Sequence, residues 1–161
     1  MKLVFTKNNL PLSLLIRCGL KEPVSHMAYV FDDKLVFHSN LIGVHIDWYD
    51  NFKKKNTIVN QIELNQGLQF EEDVYQRAIG MNVGQPYDFI ALFYFIFRAF
   101  MYRFFNVPMP TKSNTEIKKA FLCTELAYAL PKSYTQALLK KDLAITSPHE
   151  VYVAIKGALN V

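Results

Sequence analysis

At 161 residues the chain holds one domain with a single core, and 51% hydrophobic against 20% charged residues excludes a disordered chain. Its net charge of +4 is mildly basic and fits an anionic substrate or surface. No Lys/Arg block interleaves with stacking aromatics, so a nucleic-acid groove is not expected, and Lys53-Lys54-Lys55 reads as a solvated run.

Residues 2–6 alternate as a short strand. Pro11 and the apolar run after it predict a short helix that ends near Gly19. Residues 26–31 and 34–38 are β-like, and Asp32-Asp33 between them reads as a tight hairpin turn. Residues 43–47 and 57–64 predict two more strands. Helical spacing runs over 70–81, and Gly84-Gln85-Pro86-Tyr87-Asp88 is a turn. A long aromatic helix then extends from Phe89 to Phe105 and stops before Pro108 and Pro110. After a polar loop over 111–116, helices are expected over 120–130 and 133–141. Ser147-Pro148-His149-Glu150 has the form of a capping box with proline in the first turn of a last helix. Strands come first and helices later, which predicts an α+β fold with an antiparallel sheet, in a single domain over residues 1–161.

Two cysteines are too few for a disulfide framework, and no CxxC pattern is present. The expectation is a reducing, cytoplasmic setting. The first residues show no long apolar segment or cleavage site of a signal peptide. Cys18 follows an apolar run and is expected in the core. Cys123 sits in Phe121-Leu122-Cys123-Thr124-Glu125-Leu126. By residue type alone it is a small core residue. At the first turn of a helix, unpaired amides and the helix dipole would lower its thiol pKa and offer donors to an oxyanion.

A nucleophilic cysteine needs a base, and the base needs an orienting partner. His26 heads the first hairpin strand and His38 closes the second. With Phe31 opposite Lys34, His26 pairs near Ser39, one residue from His38. A bulge or a small register shift would bring the two rings together, so that one imidazole fixes the tautomer of the other. His45 is assigned to the other sheet face, and His149 to a helix first turn. No HxxxH pattern or His/Asp cluster is present, so no metal or cofactor is expected.

In residues 89–105, Arg98 and Arg103 interrupt the apolar run, which falls short of the ~20 residues of a membrane span. The expectation is a buried central helix with snorkelling arginines. The alternative is an aromatic face open to a membrane, an acyl chain or a partner protein.

Taken together, Ser25-His26-Met27-Ala28-Tyr29-Val30 and Leu122-Cys123-Thr124-Glu125-Leu126 resemble the His and Cys boxes of the circularly permuted, NlpC-like branch of papain-like cysteine hydrolases, the YiiX/YebB-like group. Gly43-Val44 with Trp48 and Phe52, the turn over 84–88, and Ile145-Thr146-Ser147-Pro148 resemble its connecting landmarks. The chain is more distantly similar to the lecithin:retinol acyltransferase group. That group's Asn-Cys-Glu-His box is Leu-Cys-Thr-Glu here, which favours the hydrolase branch.

The resemblance implies a permuted papain-like fold, with Cys123 as nucleophile, His26 as general base and His38 orienting it. It implies a cysteine hydrolase cleaving an amide bond in a peptide, isopeptide or peptidoglycan stem peptide. The element order also resembles small phage-encoded proteins of this group. Two other functions are weighed beside it. One is a lipid or N-acyl hydrolase or acyltransferase using the aromatic helix, and the other is a catalytically idle fold that binds a partner through it.

Overall fold

The computed structural model describes residues 1–64, 67–112, 122–131, 134 and 142–159. The helix expected over 133–141 and the loop beyond residue 112 fall outside the described residues. In chain order the elements are β1 (Lys2–Lys7), α1 (Pro11–Leu20), β2 (His26–Phe31), β3 (Leu35–Asn40), β4 (Gly43–Trp48), α2 (Tyr49–Lys55) and β5 (Thr57–Glu63). They continue with α3 (Leu68–Asn82), α4 (Phe89–Phe105), the 3₁₀ segments η1 (Cys123–Ala129) and η2 (Leu143–Ile145), and α5 (Pro148–Ala158). The fold is α+β. Its five strands form one antiparallel sheet in the order β4-β3-β2-β1-β5.

The central strand is β2, and it is buried on both faces. Met27 to Phe31 therefore read as a continuous apolar run rather than an alternation. Met27, Tyr29 and Phe31 join Leu3, Phe5 and Phe37 in the main core, under α3, η1 and α5. On the opposite face, Ala28 and Val30 meet Val4, Val36 and the α2 residues Tyr49 and Phe52. A third cluster joins α1 and α4 through Ile16, Leu92 and Phe95 to Leu122, Ala144 and Ile145 beside η1 and η2. No element is expected from sequence where α2 lies. Seven residues with Tyr49 and Phe52 inside and three exposed lysines are too short to show a helical period.

The β2–β3 turn differs from expectation by one residue. Asp32 and Asp33 both take the left-handed conformation, with φ of 50° and 54°, and Lys34 N–H donates to Phe31 O at 3.0 Å. That is the tight turn expected. The ladder then resumes with Phe31 opposite Leu35, not Lys34, so Lys34 is an extra residue.

The segment expected as a helix over 120–130 is a 3₁₀ segment in its described part. An α-helix would give the Leu126 carbonyl to the Leu130 amide. Instead Leu126 O accepts the Tyr29 hydroxyl at 2.9 Å, and Leu130 N–H donates to Ala127 O at 3.0 Å. Tyr29 thus ties the central strand to η1. A second tie runs from Thr124 Oγ1 to Leu143 O at 2.8 Å.

Gly43 and the turn over 84–88 are also joined. Val44 N–H donates to Gln85 O, and Gly84 N–H to Val44 O, both at 2.9 Å. Gly43 has φ +117°, and a Cβ there would lie 2.6 Å from Gln85 O, so only glycine allows this approach. Asp88 then caps α4, accepting Ala91 N–H at 2.8 Å. The expected capping box opens α5: Ser147 Oγ accepts Glu150 N–H at 3.0 Å, and Glu150 accepts Ser147 N–H at 2.8 Å.

Tyr29→Phe leaves the Leu126 carbonyl buried with one partner fewer. The expected outcome is a loss of about 1–3 kcal/mol of folding free energy, read as a lower urea midpoint with an unchanged m-value.

Candidate active site

The extra residue in the β2–β3 turn decides how the two histidines meet. Extending the observed register puts His38 opposite Ala28, two residues from His26 on the same sheet face. The rings are therefore diagonal neighbours, and His26 Nε2 lies 3.2 Å from His38 Nδ1. Phe52 of α2 packs against both rings, at 5.1 Å from His38 and 6.1 Å from His26.

His45 is not on the far face as expected. It stands directly opposite His38 in the β3–β4 ladder, with ring centroids 4.4 Å apart. Its Nδ1 meets Gly43 O at 3.0 Å, so that nitrogen carries the proton. Three imidazoles thus form a column across β2, β3 and β4.

Cys123 is the first residue of η1 and is buried. It lines a cavity of about 950 Å³ together with Ser25, His26, His38, Thr124 and Tyr87. Among the described residues no hydrogen bond joins the thiol to either ring. The thiol instead lies within reach of the backbone amides of Met27, Thr124 and its own residue. Met27 follows His26 directly, so the central strand brings the thiol beside the histidine-bearing backbone.

The amides were expected to make the thiol acidic. Burial outweighs them and pushes it up to about 11, with the Glu125 carboxylate adding to the rise. Glu125 is held there by the Leu122 amide at 2.7 Å. Burial, with the positive charge of His45, pushes His26 down to about 4. Burial, then the charges of His26, His45 and Lys55, pushes His38 down to about 2. At neutral pH the thiol and both rings are therefore uncharged.

The tautomers follow from one requirement. For Nδ1 of His26 to accept a proton, its Nε2 must carry one and donate it to His38 Nδ1. His38 then holds its proton on Nε2, a buried nitrogen without a hydrogen-bond partner among the described residues. This arrangement makes His26 Nδ1 the proton-accepting nitrogen and backs the resulting imidazolium with a neutral imidazole.

Tyr87 is the site residue that sequence reasoning left without a role. Its phenol lines the cavity, and burial, then the negative charges of Cys123, Glu125 and Asp88, hold it well above its ordinary value. The only signal for it was its place in the turn over 84–88. Cys18 is exposed, not in the core as expected, and both cysteines are free. Among the described residues no group of three His, Cys, Asp or Glu is placed to hold a metal ion, and no helix is long and apolar enough to cross a membrane. No protein-family model, curated protein or solved structure matches the chain.

The buried rings set an acid limit on stability. Their folded pKa values of about 4 and about 2 lie below the unfolded 6.5. The unfolded chain therefore takes up protons first as pH falls, and stability is full above 6.5 and lost below it. Each ring that stays neutral costs about 1.4 kcal/mol per pH unit through that window. Urea melts from pH 7 to 4.5 are expected to show this slope, and His38→Asn to lower it by one ring's share.

Proposed function

We propose that the protein is a cysteine hydrolase that cleaves an amide bond through a thioester acyl-enzyme, on a circularly permuted papain-like, NlpC-like fold. One observation carries the proposal: Cys123 opens a helical segment, His26 and His38 are paired through their rings, and all three line one cavity. The histidine on the central strand precedes the cysteine in the chain, the order the permuted architecture requires.

Because thiol and imidazole are neutral at rest, attack and proton transfer are coupled rather than sequential. Cys123 Sγ bonds to the carbonyl carbon as its proton passes to His26 Nδ1. The amides of Cys123 and Met27 are the available donors to the oxyanion. The C–N bond breaks, and His26 returns the proton to the leaving amine. Water, deprotonated by His26, then attacks the thioester. The acid leaves and the thiol regains its proton.

The substrate is a peptide, an isopeptide or a peptidoglycan-type stem peptide. A lipid or N-acyl amide is a second reading, which the apolar walls of the cavity favour. The two free thiols suit a reducing, cytoplasmic compartment.

The test is acyl-enzyme trapping with p-nitrophenyl acetate, read by intact-protein and peptide mass spectrometry in a Cys18→Ser background. An adduct on Cys123 is expected, absent in Cys123→Ala and slowed about 10²-fold or more in His26→Ala. Its rate should fall only as pH drops through about 4, where His26 becomes charged. An adduct on exposed Cys18 alone in the wild type, or full acylation of Cys123 without His26, would sink the proposal.

A further inference from the structure

The outer face of α4 is apolar and open to water. Ile90, Phe93, Phe97, Phe100 and Phe104 follow one another at steps of three, four, three and four residues, and each is 48–67% exposed. That alternation averages 3.5 residues and keeps all five side chains on one stripe of the helix. The buried residues Ala91, Leu92, Phe95 and Ala99 hold the opposite stripe. Of these, Leu92 and Phe95 line the cavity, whose wall also includes the exposed Leu10, Leu41 and Ile42. Among the described residues none of the five outer side chains joins a core cluster.

The outer stripe also lacks charge. Residues 89–105 contain no carboxylate, and their two arginines are engaged elsewhere. The Arg98 guanidinium donates to the Pro108 carbonyl at 2.7 Å, with its Nε buried. Arg103, near the end of the helix, lies over the Phe104 ring, 5.7 Å from its centroid. A surface that covers this stripe must itself be apolar along its length, because polar groups pressed against the rings would lose water and gain no partner. The spacing restricts the partner further. Side chains that repeat every 3.5 residues pack as knobs into the holes of a helix with the same repeat. A second copy of α4 has that repeat, and a two-fold axis sets the identical stripe against the first.

The area is sufficient for such a pair. At about 200 Å² for a whole side chain, the exposed fractions of these five residues and Phe105 leave roughly 600–700 Å² of apolar surface on each copy. Two copies would then cover about 1,200–1,400 Å², which lies within the range of stable, specific interfaces. An aromatic centre depleted of charge is also the composition that such interfaces favour.

We propose that the chain forms a two-fold dimer in which the outer stripe of α4 packs against α4 of a second copy. The dimer is independent of the acyl-enzyme reading, because the stripe contains none of the residues that reading uses.

The test is sedimentation equilibrium on the full chain at about 50 µM, a concentration at which an interface of this size is associated. The expected mass is twice the 18.7 kDa of one chain. Phe97→Glu/Phe100→Glu, checked for native circular dichroism, is expected to be monomeric, with the dissociation constant raised at least about 100-fold. Phe97→Ala/Phe100→Ala keeps a good helix former at both positions and is expected to raise it at least about ten-fold, even where the glutamate variant fails to fold. Val153→Glu, at an exposed apolar position of α5, is expected to stay dimeric. A monomeric wild type overturns the proposal, whether or not its rings bind phosphatidylcholine vesicles instead. So does a mass that grows past the dimer with concentration, because a two-fold contact closes on itself. A dimer that the alanine variant leaves at full strength, or that Val153→Glu dissolves, overturns it as well.

Discussion

The hydrogen bond from the Tyr29 hydroxyl to the Leu126 carbonyl spans 97 residues of sequence and lies in full burial. One end sits on the central strand three residues after His26. The other sits in η1 three residues after Cys123. Burial holds the phenol protonated far beyond neutral pH, so Tyr29 remains a donor. A buried carbonyl without a partner is costly, and the surrounding apolar core offers no water to replace the phenol. The bond therefore fixes the distance between the two halves of the site.

Burial also decides the electrostatics. A short helical segment with amides aimed at a thiol acts to acidify it. Here those amides work against complete desolvation and a nearby carboxylate, and desolvation wins. The same term empties the histidine pair of charge, and Lys55 and His45 add repulsion against protonation. A thiolate–imidazolium pair at rest is thus disfavoured from both sides. The chemistry then belongs to the moment of attack, when a substrate carbonyl takes up the charge that the resting site does not hold.

Much of the fold was legible because its signals are local. Proline at the start of α1, the Ser147–Glu150 box and the strand alternations each rest on a few adjacent residues. The β2–β3 hairpin was legible in kind but not in register, since a left-handed Asp32-Asp33 turn looks the same with or without the extra Lys34. That single residue moves His38 onto the face of His26. His45 was misplaced for a related reason: its facing depends on the β3–β4 register, which pairs it with His38 across a two-residue link. Tyr87 and η1 lay beyond reach, because tertiary packing places them: Tyr87 lines the cavity with Cys123, and η1 is tied to Tyr29 across 97 residues.

The aromatic helix shows a limit of another kind. Hydrophobicity in sequence measures how much a segment avoids water, not what it meets instead. In α4 both faces are apolar, and among the described residues α1 and the segments around η1 and η2 bury only one of them. The buried stripe, Ala91, Leu92, Phe95 and Ala99, includes the small residue that lets Gly19 of α1 approach closely, so packing selected it. The exposed stripe carries the larger rings. In a helix kept only for its core contacts, phenylalanines on the outer face would be replaceable by polar residues at no cost to packing. Their concentration on the side away from the core, next to an apolar opening, is therefore a property that folding alone does not account for.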